Sequence, residues 1–166
     1  MYQIGEYIVH PGQGVCKVDE IVSEPQATYM LLPVGVRNPV RISFPVSGEA
    51  RLRPVLSRDE AEQLIAEFPL MDLDDFTERS LALEEQHFKN QIRRGTCRDS
   101  VRIVKTFQQR IADVRARNKR PPVVYERILK QASERSLSEL AVALGITPDE
   151  VRMLFEAQEG EDFSQN

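Results

Sequence analysis

The chain reads as an α+β protein: a five-stranded β-barrel over residues 1–55, then an all-α bundle of about five helices over residues 56–158. Two features carry that reading. Short β-branched runs separated by proline and glycine crowd the first third, with no room for a helix between them. Beyond Ser57 the rhythm changes to apolar residues three and four apart, opened by capping boxes and closed by glycine or proline. With 166 residues, 41% of them hydrophobic, the chain can bury a real core as one domain or two small ones.

The strands come first. Tyr2 to Ile21 holds a short β-rich run, a turn at Pro11, Gly12 and Gly14, and a second alternating run with Val15 and Val18 to Val22. Thr28 to Val34, Val40 to Val46 and Leu52-Arg-Pro-Val55 follow at similar spacing. Five strands in so few residues suggest a small SH3-like or Tudor-like barrel. In the fourth, alternation sends Val40, Ile42 and Phe44 to the core and Arg41 and Ser43 outward.

The helices follow. Ser57 and Glu60 form a capping box ahead of a stripe of Ala61, Leu64, Ile65 and Phe68, which Pro69 stops. Pro69 to Thr77 is acidic and arrhythmic, a connection. A second helix is expected from about Glu78 to Arg94, with Leu81, Phe88 and Ile92 inward and Gly95 closing it. Thr96 and Asp99 cap a third, whose packing face is Val104, Phe107, Ile111 and Val114; Arg98, Arg102 and Lys105 lie roughly opposite. Asn118 to Pro122 is a boundary, since paired prolines end a helix. A long helix runs from about Val123 to Leu144, packing through Ile128, Leu129, Ala132, Leu137, Leu140 and Leu144, and Gly145 ends it. Thr147-Pro-Asp-Glu150 caps a short last helix with Val151, Leu154 and Phe155 inward. Residues 159–166 have little to bury and are expected to form a disordered acidic tail.

The net charge of −4 conceals segregation. Residues 1–55 are neutral, 56–86 carry −8, 87–135 carry +10 and 136–166 carry −6. A local cationic block in an acidic protein is what a phosphate backbone selects; the alternative is a solvated helix surface balanced by its acidic neighbours. No apolar stretch approaches a membrane span, and cytoplasm is the expected location. Cys16 and Cys97 have no C-x-x-C partner and are expected to be reduced. His10 and His87 lack metal-ligand company, and there is no G-x-S-x-G elbow or dinucleotide fingerprint. The adjacent carboxylates Asp74-Asp75 and Glu84-Glu85 are expected to be solvated, and His10, just before Pro11, to serve a turn. Neither an enzyme nor a cofactor or metal site is expected.

Ile4-Gly5-Glu6, Ile8-Val9, Pro11 with Gly14, Ile42-Ser-Phe-Pro45-Val46 and Leu52-Arg53-Pro54-Val55 stand in the order of one known domain. Glu139-Leu-Ala-Val-Ala-Leu-Gly-Ile146 resembles the end of the helical domain that follows it there. Together they resemble the CarD/CdnL family of bacterial RNA polymerase-binding transcription regulators, over nearly the whole chain. The resemblance implies a protein that binds the RNA polymerase β subunit and influences promoter opening, associated with the nucleoid through polymerase. The same barrel occurs in a transcription-repair coupling helicase. This chain has no G-x-x-x-x-G-K-[ST] phosphate loop and is far too short for that motor.

The resemblance also implies site residues. The family pairs a barrel strand edge-to-edge with the β subunit, which makes Arg41, Ser43 and Pro45 the candidates for polymerase contact. Members often carry a basic residue where Ser43 stands; for Arg41 the alternative is a plain surface arginine. Many place a tryptophan wedge four residues ahead of the aromatic that aligns with Phe88. This chain has no tryptophan; Glu84 occupies that place, or Leu83 if the alignment slips by one. Lys89 matches a basic family position, and Arg93, Arg94, Arg98, Arg102 and Lys105 extend the expected DNA surface, reading promoter DNA mainly through its phosphates.

Two rival readings stand beside this one. Residues 137–157 also resemble a helix-turn-helix, although Asp149 and Glu150 would head its recognition helix. The other rival is an adaptor that binds a protein partner and never touches DNA.

Overall fold

β1 (Tyr7–His10) and β2 (Gly14–Val22) form a hairpin whose turn is built by His10, in the computed structural model that describes residues 1–164. The imidazole Nδ1 accepts from the Gly12 and Gln13 N–H groups at 3.0 and 3.1 Å, and Gly14 takes a left-handed φ of 77°. β3 (Thr28–Pro33), β4 (Ile42–Pro45) and β5 (Arg53–Pro54) complete an antiparallel sheet of order β4-β3-β2-β1-β5. β4 and β5 do not pair, so the expected barrel is instead an open five-stranded sheet; a two-residue β5 is too short to close it. Ile8, Cys16, Val18, Tyr29, Leu31, Phe44 and Leu52 form its core. Val40 was expected in that core but is 78% exposed, because pairing starts only at Ile42 and leaves it in the preceding loop.

The helices are α1 (Arg58–Glu67), α2 (Leu81–Arg94), α3 (Cys97–Ala116), α4 (Val123–Leu144) and α5 (Pro148–Ser164). Ser57 and Thr96 make the expected capping boxes, and Thr147 and Glu150 exchange the same bonds at α5. Gly145 ends α4 in the left-handed conformation. α5 runs well past the short helix expected: its backbone stays helical to Ser164 in the stretch expected to be disordered, whose last two residues, 165 and 166, lie outside the described ones.

α3 and α4 divide their apolar faces between two cores. Cys97, Val101, Leu140, Ala141 and Leu144 pack with α1 and Val151, while Ile103, Phe107, Ile128 and Ala132 pack with Phe88 and Ile92 of α2. Leu81 and Leu154, expected inward, are exposed. Leu81 opens α2 ahead of the turn that meets α3, and Leu154 sits off the face that buries Val151 and rests Phe155 against Phe68. α4 touches α1, α2, α3, α5 and β2, and so stands at the centre of the molecule.

Candidate functional site

β4 lies at one edge of the sheet and pairs with β3 alone, with Met30 opposite Ser43 and Tyr29 opposite Phe44. Phe44 is buried and Ser43 is exposed, as alternation requires. Arg41 stands just before the strand. Its guanidinium reaches across to β2, where Asp19 holds it at 2.5 Å and Glu20 at 3.2 Å, so its charge is paired within the sheet and turned away from the β4 edge. Pro45 ends the strand, and a 3-10 segment follows over Val46–Arg51. The opposite edge is different: Arg53 of β5 forks onto Glu139 of α4, and the exposed Pro54 has no N–H to donate.

The cations of α3 do not form the free surface expected of them. Arg98 pairs with Glu67 at 2.6 Å, and that hydrogen bond, helped by Gln63, holds the Glu67 carboxyl below the usual carboxylate range. Lys105 donates to the carbonyls of Phe68 (2.9 Å), Pro69 (2.9 Å) and Met71 (2.6 Å), neutralising the negative end of α1 and pinning the connection behind it. Arg102 is half-buried, with Nε out of contact with any hydrogen-bond partner. Arg110 donates to Glu84 at 3.0 Å and to the Phe76 carbonyl at 2.6 Å while lying over the Phe107 ring. The physical reason is proximity: the +10 segment of the sequence folds against the −8 segment and is stitched to it.

Other cations remain available. Lys89 and Arg127 share Glu85, each at 2.7 Å, and line with Arg93 an open groove of about 450 Å³ between α2 and α4. Within residues 87–135, Arg93, Arg94, Arg117, Lys119 and Arg120 are exposed and have no carboxylate partner among the described residues. Arg93 and Arg94 end α2. Arg117, Lys119 and Arg120 surround the α3–α4 turn, where Asn118 takes a φ of 58°. Arg110 marks the level of the first turn of α2, so Arg117 lies about 10 Å farther along the bundle at 1.5 Å per residue. The same end exposes Leu81 and Leu83. Sequence reasoning treated this turn as a mere boundary; the run Arg115-Ala-Arg-Asn-Lys-Arg120 was the signal it passed over.

Compared with models of known families, residues 2–56 match the model described as CarD-like/TRCF RID domain. The match covers the whole sheet and supports RNA polymerase as the partner of this protein. No curated protein matches the chain. Among the described residues no helix is long and apolar enough to cross a membrane, and no group of three metal-ligating side chains converges.

Beyond the RID, the wedge position resolves into two different places. Glu84 is 3% exposed and locked to Arg110, whereas Leu83 is 51% exposed on the outside of α2. The helix-turn-helix-like segment places Asp149 and Glu150 at the exposed start of α5; Glu150 caps Thr147 and Asp149 pairs with Arg152 at 3.1 Å. Cys16 and Cys97 are free and buried, and desolvation pushes the Cys16 thiol up to about 11.

Proposed function

We propose that this chain is a non-catalytic transcription regulator that docks on the β subunit of RNA polymerase through β4 and acts on promoter opening through cations of its helical bundle. The observation that carries the reading is the open outer edge of β4 within the matched RID. An unpaired edge offers a row of backbone donors and acceptors to an added strand, which supplies affinity; the outward side chains supply specificity. Those side chains are Ser43 and an Arg41 exchanged from Asp19 and Glu20 onto the partner, with Pro45 setting where pairing stops.

On the bundle, Arg93 and Arg94 beside the Lys89 groove, together with Arg117, Lys119 and Arg120, are free to meet phosphates. Arg98 and Lys105 serve mainly to hold the acidic connection in place. Leu83 is the side chain able to enter a partly unstacked base step. Contacts made only to opened DNA shift the promoter toward its open form.

The test is calorimetry of the chain against an isolated amino-terminal fragment of the β subunit, with Ser43→Glu and Arg41→Gln as comparisons. Binding weakened by Ser43→Glu supports edge docking. Absence of binding to both the fragment and whole polymerase overturns the reading in favour of a helix-turn-helix regulator or another adaptor. Loss of promoter effect on reversing Arg117, Lys119 and Arg120 separates a DNA-contacting regulator from an adaptor.

A further inference from the structure

The RID meets the bundle through one face of α4. Glu139, 1% exposed, accepts two hydrogen bonds from the Arg53 guanidinium, each 2.7 Å, and a third from the Leu56 N–H at 3.1 Å. One turn earlier, Arg135 Nη2 donates to the carbonyls of His10 and Pro11 in the β1–β2 turn, both at 3.0 Å. The same nitrogen reaches the Arg93 carbonyl at the end of α2, 3.4 Å away. Positions 135 and 139 lie on one side of the helix. Beneath them Gly14 leaves room: a Cβ there would stand 3.3 Å from Arg135 Cδ.

The sheet core and the two helical cores are separate clusters, and where α4 meets β2 the sheet buries Val9 and Val15 outside its own core. Apolar contacts are also non-directional and tolerate sliding. A forked guanidinium–carboxylate pair fixes direction as well as distance, and burial keeps water from competing for it. The Arg135 guanidinium adds a second anchor point, and two points define an angle where one would leave a pivot.

We infer that Arg135 and Glu139 are positioning residues. They lock the RID at a set angle to the bundle, so that a polymerase strand bound at β4 fixes where the two cationic ends of the bundle, Arg93 with Arg94 and the α3–α4 turn, meet the promoter. The inference rests on the functional reading above. Neither residue needs to touch polymerase or DNA: Glu139 is enclosed, and Arg135 gives Nη2 to backbone carbonyls while its Nε is buried.

Spin labels at Ser47→Cys and Lys119→Cys in the full chain read the angle as a distance, and the buried thiols of Cys16 and Cys97 do not compete for label. The otherwise unaltered chain should give one narrow distance. Arg135→Met combined with Glu139→Gln should broaden it and cut the effect on open-complex lifetime roughly tenfold, while polymerase affinity changes by less than about twofold. Arg135→Lys, which keeps a donor over the same carbonyls, should retain most of the effect. If the double variant fails to fold, a short glycine–serine insertion between Val55 and Leu56 loosens the same joint and spares each core. A broad distance in the unaltered chain, or full promoter activity in a loosened variant, overturns the lock alone. A chain that binds no polymerase at all overturns the functional reading and takes the lock's purpose with it.

Discussion

Glu84 and Leu83 are neighbours with opposite fates, and the difference decides where an aromatic could act. Glu84 is buried because Arg110, one helix away, supplies its counter-charge, and the pair is enclosed by Phe88 and Phe107. Glu84→Trp would strand the Arg110 guanidinium in that enclosure and should lower stability by about 3 kcal/mol in a denaturant titration. Leu83→Trp should leave the melting temperature nearly unchanged and strengthen binding to DNA carrying a premelted bubble. Equal losses of stability at both positions would contradict the assignment. No reading of the sequence by itself could separate the two, because the partner that buries Glu84 stands twenty-six positions away. Lys105 teaches the same lesson: its helical phase was legible, but the three carbonyls that absorb its ammonium belong to a turn whose path the sequence did not reveal.

Elements were more legible than residues. The boundaries of α4 and all three capping boxes follow from local chemistry, since caps and punctuating glycines act over one turn. The outline of the sheet was legible for the same reason, but its closure was not, because pairing between β4 and β5 depends on geometry far along the chain. The β1–β2 turn makes a pH-dependent prediction. Burial, then the charges of Arg135 and Arg51, lower the His10 pKa below its ordinary value, and protonating Nδ1 would also break two backbone hydrogen bonds. The unfolded chain therefore takes up this proton first. Stability from the turn should be complete above about pH 6.5 and decline as pH falls through the lower folded value. His10→Asn, whose Oδ1 accepts without titrating, should flatten that decline in unfolding titrations at pH 7.5 and 5.5. At α5, Asp149→Ala with Glu150→Ala should leave DNA affinity nearly unchanged in a gel-shift titration. A marked change in sequence preference would restore the helix-turn-helix reading.

Over the whole molecule, charge behaves as an internal fastening before it behaves as a field. The acidic and basic segments were plain in the sequence, and so was the alternative that they balance each other; the fold takes that course for Arg98, Lys105 and Arg110. What remains outside is a smaller set at the end of α2 and at the α3–α4 turn. If about four of those cations neutralise phosphates, log K for DNA should fall with log salt at a slope near −3.6. Reversing Lys119 and Arg120 should make that slope shallower by about 2, whereas reversing Arg98 should alter stability more than slope. Filter binding across a salt series distinguishes these outcomes.

The two edges of the sheet carry a consequence for assembly. One offers only Arg53, forked onto Glu139, and Pro54, which has no N–H to donate; the other is open at β4. A sheet with a single open side can accept one added strand and then has nothing left to offer. Strand-by-strand growth into a fibril is thereby cut off after its first step. For the same reason, a second copy bound there and a polymerase strand would exclude each other, making crowding of this protein with itself a brake on its own docking.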